Sequence, residues 1–143
     1  MLDPKAYSYA VVRVVPRVER DEFVNVGVIL FSAELQFLGA EIRSREERIA
    51  ALWPDADIRT IRRHVEAIPR ICVGDPDAGP IARLSLKERF HWLTAPRSTM
   101  IQVSPVRIGL TRDARATLVQ LARDLVCEEA RAGLSSWPPI ANG

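Results

Sequence analysis

Cysteine, histidine and lysine are all scarce in this 143-residue chain, and each scarcity removes a class of function. The two cysteines, Cys72 and Cys127, cannot make a disulfide framework, so a reduced, cytoplasmic protein is expected. Both lie in apolar runs, Ile71-Cys72-Val73 and Leu125-Val126-Cys127, where cysteine serves as a small hydrophobe. His64 and His91 stand singly, with no C-x-x-C or H-x-x-x-H spacing, so no metal site is expected. No G-x-S-x-G elbow accompanies them, and a serine triad would need one of these two histidines beside a carboxylate. P-loop and G-x-G-x-x-G patterns are missing as well, and no cofactor is expected. No apolar run approaches the roughly 18 residues of a membrane span. The start, Met1-Leu2-Asp3-Pro4-Lys5, lacks the charged and apolar regions of a signal peptide. Only Lys5 and Lys87 are lysine among 20 basic side chains, and the net charge of +2 is too small to imply a polyanion partner.

What the chain does have is apolar residues, 48% of the total, in short punctuated runs, which excludes a disordered chain. Its length fits one domain, expected over residues 1–132, with a flexible Pro-rich tail over 133–143. Tyr7 to Pro16 reads as a strand rich in β-branched and aromatic residues. Phe23 to Ser32 reads as a second, apolar on both faces and therefore central, and Leu35 to Arg43 as a third. Short connections make these an antiparallel meander. Ser44 with Glu47 and Ser85 with Glu88 form capping-box patterns that open helices. Asp55 or Asp57 caps another, with Ile58, Ile61, Val65 and Ile68 at helical spacing and Pro69 as its end or kink. Thr99 to Val103 can form a fourth strand, and Val106 to Leu110 stays extended. Thr111 then caps the longest helix, whose stripe is Ala114, Leu118, Leu121, Ala122 and Leu125. The expected class is α+β: an antiparallel sheet of three to four strands with about four helices on one face.

Two places carry candidate chemistry. Arg13 sits among valines on the face of Tyr7, Tyr9 and Val11, while Asn25 and Gly27 share a face of the second strand with Phe23, Ile29 and Phe31. A buried Arg needs a counter-charge, and Glu22 at the start of the second strand is the expected partner. The cluster is either a structural pair or a small polar site in which Gly27 admits a ligand closely. The second place is Thr94 to Pro105, where Arg97, Ser98, Thr99, Gln102 and Ser104 supply donors on a loop and the strand after it. Turn chemistry at Pro96 and Ser98 explains the same residues equally well. Glu41 and Arg43, with Asp21 or Glu22, could imitate a metal-dependent nuclease, but Arg in place of the usual Lys weakens the match, and a strand-edge charge pair is the plainer reading. The Arg59, Arg62, Arg63 and Arg70 stripe has no interleaved aromatic for base stacking, so it reads as a solvated face.

Tyr7-Ser-Tyr-Ala-Val-Val-Arg13-Val-Val-Pro16, Glu22-Phe-Val-Asn25-Val-Gly27-Val-Ile-Leu-Phe31 and Arg97-Ser98 through Ser104-Pro105 together resemble the bacterial family called domain of unknown function 3037. The resemblance covers residues 5–127, and the Asn-Val-Gly segment is its most specific part. It implies no established activity. It does imply a partner, because genes of this family often neighbour those of HipA-like kinases. A non-catalytic binding or accessory module is therefore expected, acting with such a kinase or another protein, or as a homo-oligomer; no membrane or nucleic-acid partner is expected. The alternative is an enzyme on a small anionic or nucleic-acid substrate, using Arg13, Glu22, Asn25 and Arg97. An enzyme would gather these residues on the floor of one pocket. A module would show an exposed apolar patch or sheet edge.

Overall fold

Valines and tyrosines stiffen Lys5–Val14 into the first strand, β1, which becomes the centre of the sheet. The computed structural model describes residues 3–16, 18–20, 22–97 and 99–126. β2 (Val24–Ser32) returns antiparallel to β1, and β3 (Phe37–Ile42) follows after a turn in which Gln36 takes a positive φ of 50°. Three helices come next: α1 (Glu46–Leu52), α2 (Ile58–Cys72) and α3 (Leu86–Leu93). Two short strands, β4 (Ile101–Val103) and β5 (Arg107–Thr111), precede the last helix, α4 (Ala114–Leu125).

The sheet has five strands. β4 and β5 both pair with β1, on the side away from β2: β4 at Val12–Val14 and β5 at Lys5–Tyr9. They behave as one strand broken at Ser104-Pro105-Val106, since proline cannot donate to the ladder. Ser104 repairs the break. Its amide donates to Val11 O at 2.9 Å, and its hydroxyl oxygen accepts from Val11 N at 2.8 Å in place of a carbonyl. Ser104→Ala strands a buried amide, and urea unfolding should show a loss of about 1–2 kcal/mol. No change in stability would mean that Val11 N finds another acceptor.

Helices cover both faces of the sheet, not the single face that was expected. Val12, Val14, Val24, Val26 and Ile29 meet Ile49 of α1, Ile61, Val65 and Ile68 of α2, and Phe90 and Leu93 of α3. Val28 and Leu30 turn the other way, against Ala114, Leu118 and Ala122 of α4. A strand apolar on both faces needs a cover on each, and α4 supplies the second. Leu118 is fully buried, whereas Leu121 and Leu125 are half-buried at its edge.

Local signals are honoured unevenly. Ser85 and Glu88 complete their capping box, and Asp57 caps α2 by accepting from Thr60 N. The Ser44–Glu47 box does not form, because Arg45 holds the cap position of α1 and donates to Val126 O across the molecule. Asp113 rather than Thr111 caps α4. α2 runs through Pro69 to Cys72, its end held by Arg89 Nη1, which donates to Ile71 O and Cys72 O at 2.9 Å. No helix among the described residues is long and apolar enough to cross a membrane. The segment expected as a tail, 133–143, lies outside the described residues.

Candidate functional site

Arg13 faces Asn25 of β2 on one side and Gln102 of β4 on the other. Directly opposite residues share a face, so the three polar side chains form one row across three strands. α4 ends at this row: Asn25 Nδ2 donates to Leu125 O at 3.1 Å. A helix C-terminus carries about half a negative charge, which suits such donors. The Arg13 guanidinium stacks over the exposed Phe23 ring, 4.2 Å from its centroid, and this cation–π contact offsets part of its lost hydration. Arg13 Nε and Asn25 Oδ1, one donor and one acceptor, are buried with no hydrogen-bond partner among the described residues.

The expected Arg13–Glu22 ion pair is not made. Glu22 accepts instead from Arg20 Nε, at 3.0 Å on the surface. β2 begins only at Val24, so Glu22 stands outside the ladder, and Arg20, two residues away, reaches it.

Asn25 and Gly27 do not share a face. The β1–β2 register runs from Ser8 opposite Phe31 to Val12 opposite Gly27, and then jumps to Arg13 opposite Asn25. Val26 is therefore an extra residue, a β-bulge, and its carbonyl accepts from Arg43 N at 2.7 Å. The bulge leaves Asn25 with Arg13 toward α4 and turns Gly27 toward α2. There Gly27 lies opposite Ile42. A methyl group added at Gly27 would meet Glu41 O at 2.8 Å, so the close neighbour it admits is β3.

Arg97 lies on the α2–α3 side, stacked over Trp92 at 4.4 Å with its Nη2 donating to Trp92 O at 2.7 Å. Thr99 Oγ1 donates to Ile101 O, and Gln102 Nε2 donates to Thr99 O, both at 2.9 Å. That is turn chemistry. Ser98 is outside the described residues. The sheet thus separates Arg13 and Asn25 from Arg97, while Glu22 and Ser104 are engaged elsewhere. Arg13 and Asn25 stand out in the sequence as polar residues within apolar strands. Phe23 carried no such signal, and Gln102 joins the row only through strand register.

A family model described as "Protein of unknown function (DUF3037)" matches residues 9–126. The chain belongs to the DUF3037 family. No curated protein and no solved structure matches it. The matched part of this DUF3037 chain runs from Tyr9 in β1 to Val126 after α4, and so takes in β2–β5 and all four helices.

Chemistry inside the DUF3037 fold is sparse among the described residues. No group of three or more His, Cys, Asp or Glu could hold a metal ion. Burial pushes the Cys72 thiol up to about 12, so it stays protonated and unreactive at neutral pH. The more unusual feature is β5. It pairs with β1 only, which leaves its outer edge open among the described residues. Ile108 is 77% exposed, Leu110 69% and Val106 45%. Ile108 and Leu110, two apart, point to one side of the sheet, where they oppose Ser8 and Ala6. Nothing in Arg107-Ile108-Gly109-Leu110-Thr111 marks this exposure, since apolar alternation ordinarily signals a buried face.

Proposed function

We propose that this DUF3037 chain is a non-catalytic, cytoplasmic binding module of bacteria that docks a protein partner along β5. The open β5 edge with exposed Ile108 and Leu110 carries the reading. An unpaired strand edge offers a ladder of amides and carbonyls to an extended segment, and alternate side chains grip it. Open hydrophobic edges are a liability that proteins otherwise blunt with charge or proline. Here only Arg107 does so, at one end. The separation of Arg13 and Asn25 from Arg97 across the sheet argues against a single catalytic pocket. A HipA-like kinase is the partner that the family's gene neighbourhood favours.

Mixing the purified chain with a HipA-like kinase tests the proposal by calorimetry. The double variant Ile108→Lys/Leu110→Lys should keep its melting temperature, because both side chains are already in water. It should lose about thirtyfold or more in affinity, the effect of removing one hot-spot contact. Unchanged binding by the double variant would remove β5 from the interface. No binding by the unmodified chain would remove the kinase, and sedimentation of the chain alone would then show whether a second copy takes the edge.

A further inference from the structure

A groove of about 350 Å³ lies between α2, the end of α3 and β4, on the face of the sheet away from α4. Its floor is apolar: Ile68 and Ile71 from α2, Leu93 from α3 and Ile101 from β4. At the rim stand Trp92, 40% exposed, and Arg97. No carboxylate is among the described residues that line it. Arg97 is the one residue of permanent charge among the described lining residues, and it is held in place on two sides, by the Trp92 ring at 4.4 Å and by Trp92 O at 2.7 Å. That carbonyl takes a single N–H of the five in a guanidinium. The remaining donors of the fork have no partner among the described residues. A held, planar fork at the mouth of an apolar trough matches an anion with an apolar body, and the fork geometry matches a carboxylate.

At about 350 Å³ the groove is of the size that takes a small molecule. Small-molecule pockets begin at about 300 Å³. We propose that this groove binds a small apolar carboxylate, its body on Ile68, Ile71, Leu93 and Ile101 and its carboxylate on the Arg97 fork. The site is independent of β5 and of any protein docked there.

Decanoate, kept below its micelle concentration, is the probe, and the Trp92 indole N–H in a two-dimensional NMR spectrum is the reporter. The expected result is a saturable shift of that signal. Decanol should bind about tenfold or more weakly, and Arg97→Gln should weaken decanoate by a similar factor, as expected for a hydrogen bond between charged groups. Arg97→Lys keeps the charge but not the fork, and should fall between the two. It also serves as the test if the Gln variant fails to fold. The absence of a saturable Trp92 shift overturns the proposal. So does decanol binding as well as decanoate, or binding unaffected at position 97, either of which would show an apolar crevice without anion recognition.

Discussion

Truncating Leu118 to Ala should destabilise the fold by about 2–5 kcal/mol, toward the upper part of that range. The side chain is 0% exposed and central in the layer that α4 lays on Val28 and Leu30. Its stripe neighbours one turn before and after are Ala114 and Ala122, too short to swing into the space it would vacate. Beneath it lies Gly39 of β3, where an added methyl group would sit 3.2 Å from Leu118 Cδ2, and glycine has no side chain with which to follow. A cavity that cannot collapse costs more than the transfer energy of the lost carbons alone. Leu121→Ala should cost about half as much, because its side chain is only half-buried. Urea unfolding of both variants checks the pair. A loss below about 1 kcal/mol at Leu118 would mean that α4 is not a packed second layer.

Gly27→Ala should cost about 2–3 kcal/mol, the second largest effect expected of a single substitution here. The reason is space. The new carbon would approach Glu41 O to 2.8 Å, and a backbone oxygen held in the β2–β3 ladder cannot step aside as a side chain can. At Gly109 the three nearest neighbours of the same methyl group would all be atoms of the Tyr7 side chain, which can rotate away. Gly109→Ala is therefore the milder control, and the contrast separates strand spacing from any general intolerance of the sheet. Equal losses at the two positions would refute the explanation. Hydrogen exchange of the β3 amides should rise in the Gly27 variant and stay unchanged in the Gly109 variant.

The Arg13 pairing fails for a reason that applies to other buried cations. The cost of stripping water from a guanidinium is real, but a carboxylate is not the only remedy. Here the ring of Phe23 meets part of that need, and it does not follow from a list of acidic residues near Arg13 in sequence. Asn25, chosen for the same polarity, does make a tertiary contact, with Leu125 O a hundred residues later.

The sequence alone determined those features whose signals lie within a few residues. β1, β2 and β3 follow from runs of β-branched and aromatic side chains, the apolar stripe of α2 from its 3.6-residue period, and the start of α3 from a serine and a glutamate three apart. The family resemblance was legible for the same reason. Tertiary structure decided the rest. Val24, Val26, Val28 and Leu30 are all apolar, so burying them in either parity is equally favourable, and no alternation reveals the bulge at Val26 that sends Asn25 and Gly27 to opposite faces. The same two-sided apolarity left open which face α4 would cover. Ile108 and Leu110 alternate as residues of a buried face do, yet stand in water because no element of the described chain reaches the outer edge of β5. Local periodicity reports that a residue needs a partner; which surface supplies it depends on contacts between residues far apart in the chain, and short-range spacing carries no record of those.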